Sequence, residues 1–429
     1  MQNFISAFLV KSKEHKYILS RTFIIISGSL FANVFAYLFQ LITGRYLSVP
    51  DYAILVTLFS LSGVFLALLN FITGGTNKLV AEIKDDDYPN RISQLFTSIF
   101  KIQFLLSLAI TLILFTLTPL LSETLKIPDK TIIYAFIMAI FAGNLIGFMT
   151  PFLQGLLRFK AYSFSLFLAS FTKLLIGLVV IAFGLGLTEI FWGLFIATLV
   201  VGVCQVILLK KNIHLKNTEF AKKDMSELVK YSLYSSFGIV GLSLLQNVDV
   251  IMVKSFFDET TAGIYGSITV IGRVIFFLAS PIVIIMLPIC AQNYKRGENF
   301  IKPFFMAVFI AFAISFVGFL CYVLFPEFIV NILFSEKYIA ATPYLGMYAL
   351  YMIFYTLLNV VTVFFISVSK FKYAAIAFFA PLMQFIGITF FHENLSQVIY
   401  VNLITCVIFC IAMYGFVIKM FIIKSHGNR

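Results

Sequence analysis

Twelve long apolar runs, separated by polar or helix-breaking residues, constrain this chain more than any other feature of its sequence. A transmembrane helix needs about 20 consecutive, mostly apolar residues. Breakers such as Val49–Asp51, Asp85–Pro89, Ile127–Asp129 and Gly186–Glu189 divide the runs. We therefore predict transmembrane helices over residues 21–43, 53–75, 93–118, 131–156, 161–184, 189–209, 231–255, 261–289, 303–326, 339–368, 371–391 and 396–421.

The composition agrees with a membrane protein and argues against soluble classes. Charged residues make up 12% of the chain and hydrophobic residues 61%, whereas a soluble domain averages about 25% charged residues. The five cysteines fall inside apolar runs and the four histidines lie in loops or tails. No metal ion or other cofactor is expected, because these residues lack the spacing of a metal site. We predict an all-α integral membrane protein.

The distribution of basic residues orients the predicted helices. An even number of spans places both termini on one side. If that side is the cytoplasm, and residues at the very ends of spans are counted with the adjoining loop, the cytoplasmic segments hold 23 of the 31 lysines and arginines, the external segments hold five, and three lie deeper within spans. Cytoplasmic loops of membrane proteins carry such an excess. The net charge of +12 therefore requires no nucleic-acid partner, and we expect a multi-pass protein of the bacterial inner membrane with both termini in the cytoplasm.

The chain divides into two halves of six spans that echo each other. Leu157–Tyr162 follows the fourth span, and the similar Ser369–Tyr373 follows the tenth. Arg158 and Lys370 differ by 212 positions, close to the offset of about 210 between the first and seventh spans. Halves with an even number of spans share one orientation and are related by an axis along the membrane normal. We expect two parallel six-helix lobes around a central cleft, which suits alternating access.

The predicted domain organisation follows from this division. Residues 1–20 form an interfacial amphipathic segment, with apolar residues followed by lysines. The first lobe covers residues 21–209 and the second covers residues 231–421. A basic cytoplasmic linker, 210–230, joins them, and 422–429 is a cytoplasmic tail.

Three segments resemble the multidrug/oligosaccharidyl-lipid/polysaccharide exporter superfamily, and within it the polysaccharide-unit flippases. They are Gly44–Ala53 after the first span, Gln154–Tyr162 after the fourth, and Asn247–Val253 in the seventh. The resemblance extends over essentially the whole chain. It implies a transporter, not an enzyme, that moves undecaprenyl-pyrophosphate-linked oligosaccharides from the inner to the outer leaflet for surface polysaccharide of the O-antigen, lipopolysaccharide or capsule type. The implied partners are this lipid-linked oligosaccharide, membrane lipids and the polysaccharide polymerase machinery.

Three alternatives stay open at this point. A cation-coupled multidrug exporter would share the fold, but such exporters carry membrane carboxylates in the first half, and residues 21–43 contain no Asp or Glu. A flippase for the peptidoglycan precursor usually has additional spans. A membrane enzyme such as a glycosyltransferase needs catalytic groups outside the bilayer. The predicted external loops are short and offer no such set, so no catalytic residue is predicted.

Charges inside the predicted spans are the best site candidates, because each costs roughly 2.5–3.5 kcal/mol to insert. Lys173 lies about halfway along the fifth span and Arg273 about halfway along the eighth. We expect them to form a cationic cavity for the pyrophosphate of the lipid carrier, since arginine binds phosphate with a planar fork and lysine with a point charge. Asp249 is the candidate ion-coupling carboxylate. It is also the natural partner of Arg273, if that arginine is merely paired internally.

A fourth candidate lies at the predicted external end of the first span. Arg45 belongs to the family-like segment Gly44–Ala53 and would guide the emerging head group. Alternatively, Arg45 complements the dipole at a helix C-terminus. Lys101 lies about two turns from the cytoplasmic end of the third span and is expected to extend its amine to the membrane surface.

Overall fold

A computed structural model describes residues 27–69, 88–210 and 222–427, together with positions 76, 79, 80 and 83. Its long helices are α1 (27–46), α2 (Val49–Leu69), α3 (Tyr88–Thr116), α4 (Lys130–Gly147), α5 (Phe159–Ala182), α6 (Leu187–Leu209), α7 (Lys222–Phe256), α8 (Glu259–Lys295), α9 (Ile301–Leu324), α10 (Thr342–Ser367), α11 (Ala380–Phe390) and α12 (Leu395–Gly427). No β-strand occurs in this described part of the chain.

Short helices extend several of these elements. Met149–Gly155 continues α4, Thr118–Thr124 follows α3, and Pro326–Leu333 with the 3₁₀ turn Glu336–Ala341 precedes α10. The turns Phe371–Ala374 and Ala375–Phe379 lead directly into α11. Within the described residues, eleven segments are long and apolar enough to cross a membrane. Helix α1 is the twelfth long helix, and the predicted first span begins before its described part.

The predicted all-α class is confirmed, eleven of the twelve predicted spans coincide with candidate membrane spans of the described residues, and the segment boundaries differ in places. Helix α7 begins at Lys222, inside the segment 210–230 that was predicted as a linker. Helix α12 continues to Gly427, through most of the predicted tail 422–429. The predicted amphipathic segment 1–20 and the linker residues 211–221 lie outside the described part.

Helix starts follow the local chemistry of the sequence. Asp129 directly precedes α4 and accepts hydrogen bonds from the Thr131 side chain at 2.7 Å and backbone N–H at 2.9 Å. Asp258 precedes α8 in the same way and accepts from the Thr261 N–H at 3.0 Å. The first N–H groups of a helix lack internal partners, so a carboxylate there stabilises the helix start. The hydrogen bonds from Thr131 hold the pKa of Asp129 below its ordinary value.

The helices form two lobes that meet along α2. In the first lobe, α4 packs against α3 and α6, and α6 packs against α5. In the second, α10 packs against α8, α9 and α12, while α11 packs against α7 and α12. Helix α2 of the first lobe packs along α7 and α8 of the second. The lobe interface is therefore built mainly on α2, α7 and α8.

Glycine contacts repeat between the lobes at the offset read from the sequence. A side chain at Gly28 of α1 would meet Ser163 of α5 at 2.5 Å, and one at Gly238 of α7 would meet the carbonyl of Ala374 at 2.7 Å. Positions 28 and 238 differ by 210, and positions 163 and 374 by 211. Each lobe thus brings its first helix against its fifth segment in the same way. The parallel arrangement of the two six-helix lobes is confirmed.

One contact locates the axis that relates the lobes. Gly266 of α8 lies against Val56 of α2, where an added Cβ would come within 3.4 Å of the Val56 Cβ. Positions 56 and 266 are 210 apart, which is the offset between the lobes. Each of these residues therefore contacts the residue at the equivalent position of the other lobe. A residue can do so only near the axis of a twofold relationship. The crossing of α2 and α8 therefore lies close to the pseudo-twofold axis.

Candidate functional site

A cavity of about 140 Å³ lies beside this crossing and is lined by both lobes. Helices α1 and α5 line it from the first lobe, and α8 lines it from the second. The lining contains two cations and no carboxylate, and its residues are Asn33, Ala36, Tyr37, Gln40, Lys173, Val270, Arg273 and Phe277. Both cations predicted for the substrate site, Lys173 and Arg273, therefore lie on one cavity.

The Lys173 ammonium makes cation–π contacts with two aromatic rings. Its ammonium nitrogen lies 3.8 Å from the centroid of the Phe59 ring and 4.8 Å from that of Phe39. Aromatic faces attract cations by about 2 kcal/mol when the pair is desolvated. These rings come from α2 and α1, so three helices of the first lobe position the amine. No hydrogen bond of this ammonium is found among the described residues, so its three donors are available to a ligand.

The Arg273 guanidinium is hydrogen-bonded along one edge and borders the cavity. Its Nη2 donates a hydrogen bond to the backbone carbonyl of Gln246 on α7. Its Nε is buried and has no hydrogen-bond partner among the described residues. One edge of the guanidinium is thus fixed within the second lobe. The side chain also borders the cavity, and its Nε remains free to donate.

Further buried polar atoms around the cavity lack partners in the described structure. They include the Tyr37 hydroxyl and the Gln40 Oε1 on α1, and the Gln246 Nε2 on α7. A buried polar group without a partner costs about 1–3 kcal/mol. Their concentration beside Lys173 and Arg273 marks a polar site in an otherwise apolar membrane region. The arrangement can receive an anionic, hydrogen-bonding group.

Asp249 lies in a separate network inside the second lobe. The carboxylate is fully buried, and its Oδ2 accepts from the Tyr265 hydroxyl at 2.6 Å and the Asn402 Nδ2 at 3.0 Å. Its Oδ1 accepts from the Val250 N–H at 2.8 Å. The Gln384 Nε2 donates to the Asn402 Oδ1 at 2.9 Å. Helices α7, α8, α11 and α12 therefore each contribute one side chain.

The suggested pairing of Asp249 with Arg273 is not found between these two described residues. Asp249 makes no ion pair with Arg273; the carboxylate is satisfied by neutral donors, and the arginine is anchored on a carbonyl. The physical reason is the helix geometry of α8. Tyr265 lies about two turns from Arg273 on that helix and occupies the position facing Asp249.

The network corresponds to the Lys173 site of the other lobe. Asp249 is 210 positions after Phe39, which faces Lys173, and Gln384 is 211 positions after Lys173. The same place in the two lobes thus carries a cation in the first and a carboxylate with amides in the second. This asymmetry is superimposed on a symmetric backbone.

Arg45 lies away from the cavity, at the end of the bundle that the sequence predicts to be external. It is exposed, and its guanidinium donates to the carbonyls of Asn331 at 3.4 Å, Leu333 at 3.2 Å and Ile332. These carbonyls end the short helix Pro326–Leu333 of the second lobe. The structure therefore brings Lys173 and Arg273 together but places Arg45 elsewhere, between the lobes.

Several residues of the two sites were missed or left unassigned by the sequence reasoning. Tyr37 was missed, although Asn33, Tyr37 and Gln40 follow an i, i+4, i+7 spacing that places them on one face of α1. That polar stripe was the available signal. Tyr265 and Asn402 were also missed, because a single tyrosine or asparagine in an apolar span has no distinguishing pattern.

A larger groove shares no residue with this cavity. It has a volume of about 660 Å³ and lies between α11 and α12, where Leu382, Ile386 and Ile404 are among the lining residues. Its lining carries no charged side chain. The groove therefore cannot supply the charges that an anionic head group needs.

Comparisons with known proteins agree with this architecture. The profile of a family described as polysaccharide biosynthesis protein matches residues 18–294. An uncharacterised membrane protein of Methanocaldococcus jannaschii is 26% identical over 291 residues, which cover 62% of this chain and 65% of that relative. The chain thus spans a little less than two thirds of the length of this curated relative.

Solved structures of transporters share the fold. An inward-facing multidrug resistance MATE family transporter of the MOP superfamily superposes with a TM-score of 0.73 at 12% identity, covering 93% of this chain and 98% of that one. The lipid II flippase MurJ in an inward closed conformation gives a TM-score of 0.67 at 13% identity, covering 92% and 87%. At such identities the likeness concerns the fold. The predicted fold class is confirmed, and the match to the polysaccharide biosynthesis protein family supports the resemblance read from the sequence.

Proposed function

Because this chain belongs to the polysaccharide biosynthesis protein family, we propose that it flips lipid-linked oligosaccharide units across the membrane. The observation that carries the proposal is the cavity between the lobes, where Lys173 and Arg273 meet without a carboxylate. The substrate is an undecaprenyl-pyrophosphate-linked oligosaccharide, moved from the cytoplasmic to the outer leaflet of a bacterial inner membrane. The unit then passes to the polymerase machinery for O-antigen or capsule-type polysaccharide. Transport requires no chemical step.

The head group explains why cations lie at this depth. A pyrophosphate brought into a low-dielectric region is costly unless it is paired. Arg273 offers a fork that binds two phosphate oxygens, and Lys173 offers a compact charge. The aromatic rings stabilise the Lys173 ammonium when the cavity is empty of substrate. The Tyr37 hydroxyl and the Gln246 amide nitrogen can donate further hydrogen bonds, and the Gln40 amide oxygen can accept one from a sugar hydroxyl.

The two-lobe fold supplies the movement. Each lobe contributes one cation, so rocking the lobes about their interface exposes a bound head group first to one side and then to the other. Arg45 lies on the predicted outward route and meets the head group as it leaves. The polyprenyl tail stays in the lipid throughout, because apolar chains gain nothing from entering a charged cavity.

Energy coupling is assigned to Asp249. The carboxylate does not line the cavity, but its partner Tyr265 lies on α8, the helix that carries Arg273. Protonation or binding of a cation at Asp249 would change the hydrogen bonds that hold α7, α8, α11 and α12 together. A buried carboxylate in a membrane protein is a functional candidate by default.

Cation-coupled drug export is the second candidate, and the Asp249 network favours it. The cavity argues against it, because two cations without a carboxylate repel the cationic drugs that such exporters carry. An enzyme is not supported by any arrangement of catalytic groups in the described residues, and a flippase for the peptidoglycan precursor would use the same pyrophosphate contacts.

One experiment separates these functions. Purified protein in proteoliposomes is offered a fluorescent undecaprenyl-pyrophosphate sugar and, in parallel, a cationic dye. We expect protein-dependent movement of the sugar lipid and none of the dye. Gene deletion should, in addition, make an undecaprenyl-pyrophosphate-linked surface-polysaccharide unit accumulate, whose sugars identify the carried unit. Dye transport without lipid flipping would contradict the proposal, and accumulation of the peptidoglycan precursor would reassign the substrate.

A further inference from the structure

Three cations join the two lobes at the predicted outer end of the bundle. Arg45 of the first lobe donates to the carbonyls of residues 331–333 in the second. Lys337 of the second lobe donates to the carbonyls of Arg45 at 2.7 Å and Leu47 at 2.6 Å. Lys126 of the first lobe donates to the carbonyl of Phe257 at 2.8 Å. The contacts run in both directions between the lobes.

All three cations donate to backbone carbonyls at the C-terminal ends of helices. The carbonyls of residues 331–333 end the short helix Pro326–Leu333, those of Arg45 and Leu47 end α1, and that of Phe257 follows the end of α7. The last carbonyls of a helix have no partner within it and carry the negative end of its dipole. Each cation therefore satisfies acceptors that the opposite lobe leaves free.

An aromatic cluster fills the space beside these contacts. Tyr52 of α2 lies 5.5 Å from Phe334 and 5.8 Å from Tyr338, measured between ring centroids, and all three side chains are buried. Gly44 allows this approach, because a Cβ there would meet the Phe334 ring at 2.5 Å. The predicted outer end of the cleft is therefore closed by packed rings with cations around them.

We propose that Arg45, Lys337 and Lys126 form a clasp that holds the lobes together at this end, and that its release opens the cavity on that side. None of the acceptors in these contacts is a carboxylate. By contrast, the ion pair of Lys254 with Glu259, at 3.8 Å, joins residues of the same lobe. The clasp therefore opens by separating charges from helix ends, without neutralising an acid.

The test measures access to the cavity and needs no substrate, so it is independent of the proposed function. Ala36, which lines the cavity, is replaced by cysteine after the five native cysteines are removed. A membrane-impermeant maleimide is added from either side of the membrane. Pro128→Cys in a separate sample identifies the side on which the clasp lies, because Pro128 is exposed at that end.

The clasp is then weakened and compared with a matched control. Arg45→Met with Lys337→Met removes two of the three cations. Arg158→Met removes a similar contact, from Arg158 Nη1 to the carbonyl of Leu208 at 2.6 Å, that lies within one lobe. Hydrogen bonds to charged groups are strong enough that we expect labelling of Ala36→Cys from the Pro128 side to rise about tenfold or more in the clasp variant. Arg158→Met should leave the rate unchanged.

A conservative variant and a milder single variant control for loss of folding. Arg45→Lys retains a donor and should restore part of the protection. If the double variant fails to accumulate as monodisperse protein, Lys126→Met alone carries the same expectation with a smaller rise. An unchanged rate in folded clasp variants, or an equal rise in Arg158→Met, would overturn the proposal.

Discussion

Lys173 on α5 and Arg273 on α8 line the same cavity from opposite lobes, although 100 positions separate them in the chain. Neither forms an ion pair with a carboxylate: one rests on aromatic rings and the other on a helix carbonyl. Both contacts stabilise a cation without neutralising it. The lining of the cavity therefore carries two cationic side chains and no carboxylate.

Removing either cation should abolish flipping while leaving the protein in the membrane. Truncating one partner of a buried charge contact costs about 2–5 kcal/mol, so Lys173→Ala and Arg273→Ala should each reduce flipping at least about thirtyfold, which is loss of detectable export. Lys101→Ala is the matched control, because Lys101 is a span cation that is exposed on α3. Surface-polysaccharide complementation and membrane abundance are measured together. Normal export by well-expressed alanine variants would end the cationic-cavity hypothesis.

The geometry of the Arg273 guanidinium can be tested separately from its positive charge. Arg273→Lys keeps the positive charge but loses the fork that binds phosphate oxygens and donates to the Gln246 carbonyl. We expect flipping between that of the native protein and that of Arg273→Ala. The initial rate in proteoliposomes measures this. Activity of Arg273→Lys equal to the native rate would show that only charge matters.

Asp249 is expected to govern coupling. Asp249→Asn preserves size but keeps only one acceptor oxygen, and it can no longer bind or release a proton, so transport should lose its response to an imposed proton or sodium gradient. Tyr265→Phe, which removes the 2.6 Å hydrogen bond but keeps the carboxylate, is the comparison and should retain the response. Proteoliposome flipping is measured with and without each gradient. If Asp249→Asn behaves like the native protein under every gradient, Asp249 has no coupling role.

The glycines at the helix contacts should be more sensitive to substitution than exposed ones. A Cβ at Gly241 would lie 2.5 Å from the backbone of residues 377 and 378, whereas nothing lies within 4 Å at Gly415. Overpacking costs about 1–3 kcal/mol, so Gly241→Ala should lower the thermal unfolding midpoint. Gly415→Ala should maintain or raise it, since alanine favours helix over glycine by about 1 kcal/mol. Equal midpoints for the two variants would contradict the described packing of α7.

The predicted orientation is tested by labelling single cysteines from outside intact cells. Positions 128 and 337 should react, and position 216, in the basic segment between the lobes, should not. Cell lysis should expose position 216 and serves as the control for reactivity. Efficient labelling of position 216 in intact cells would reject the twelve-span arrangement.

The sequence by itself determined the class, the number and positions of the helices, and the parallel halves of the chain. These follow from local patterns, since a span requires about 20 apolar residues wherever it lies. It also singled out Lys173, Arg273 and Asp249, because an ionisable residue in an apolar run stands out without any knowledge of its neighbours.

Only the tertiary structure decided what these residues contact. It placed Lys173 and Arg273 on one cavity, left Asp249 without an ion pair to Arg273, and gave Asp249 side-chain partners on α8 and α12. It also placed Arg45 against carbonyls 286 to 288 positions away. Such contacts depend on how helices rotate and pack against one another, and no periodicity within a single span encodes which face meets which neighbour.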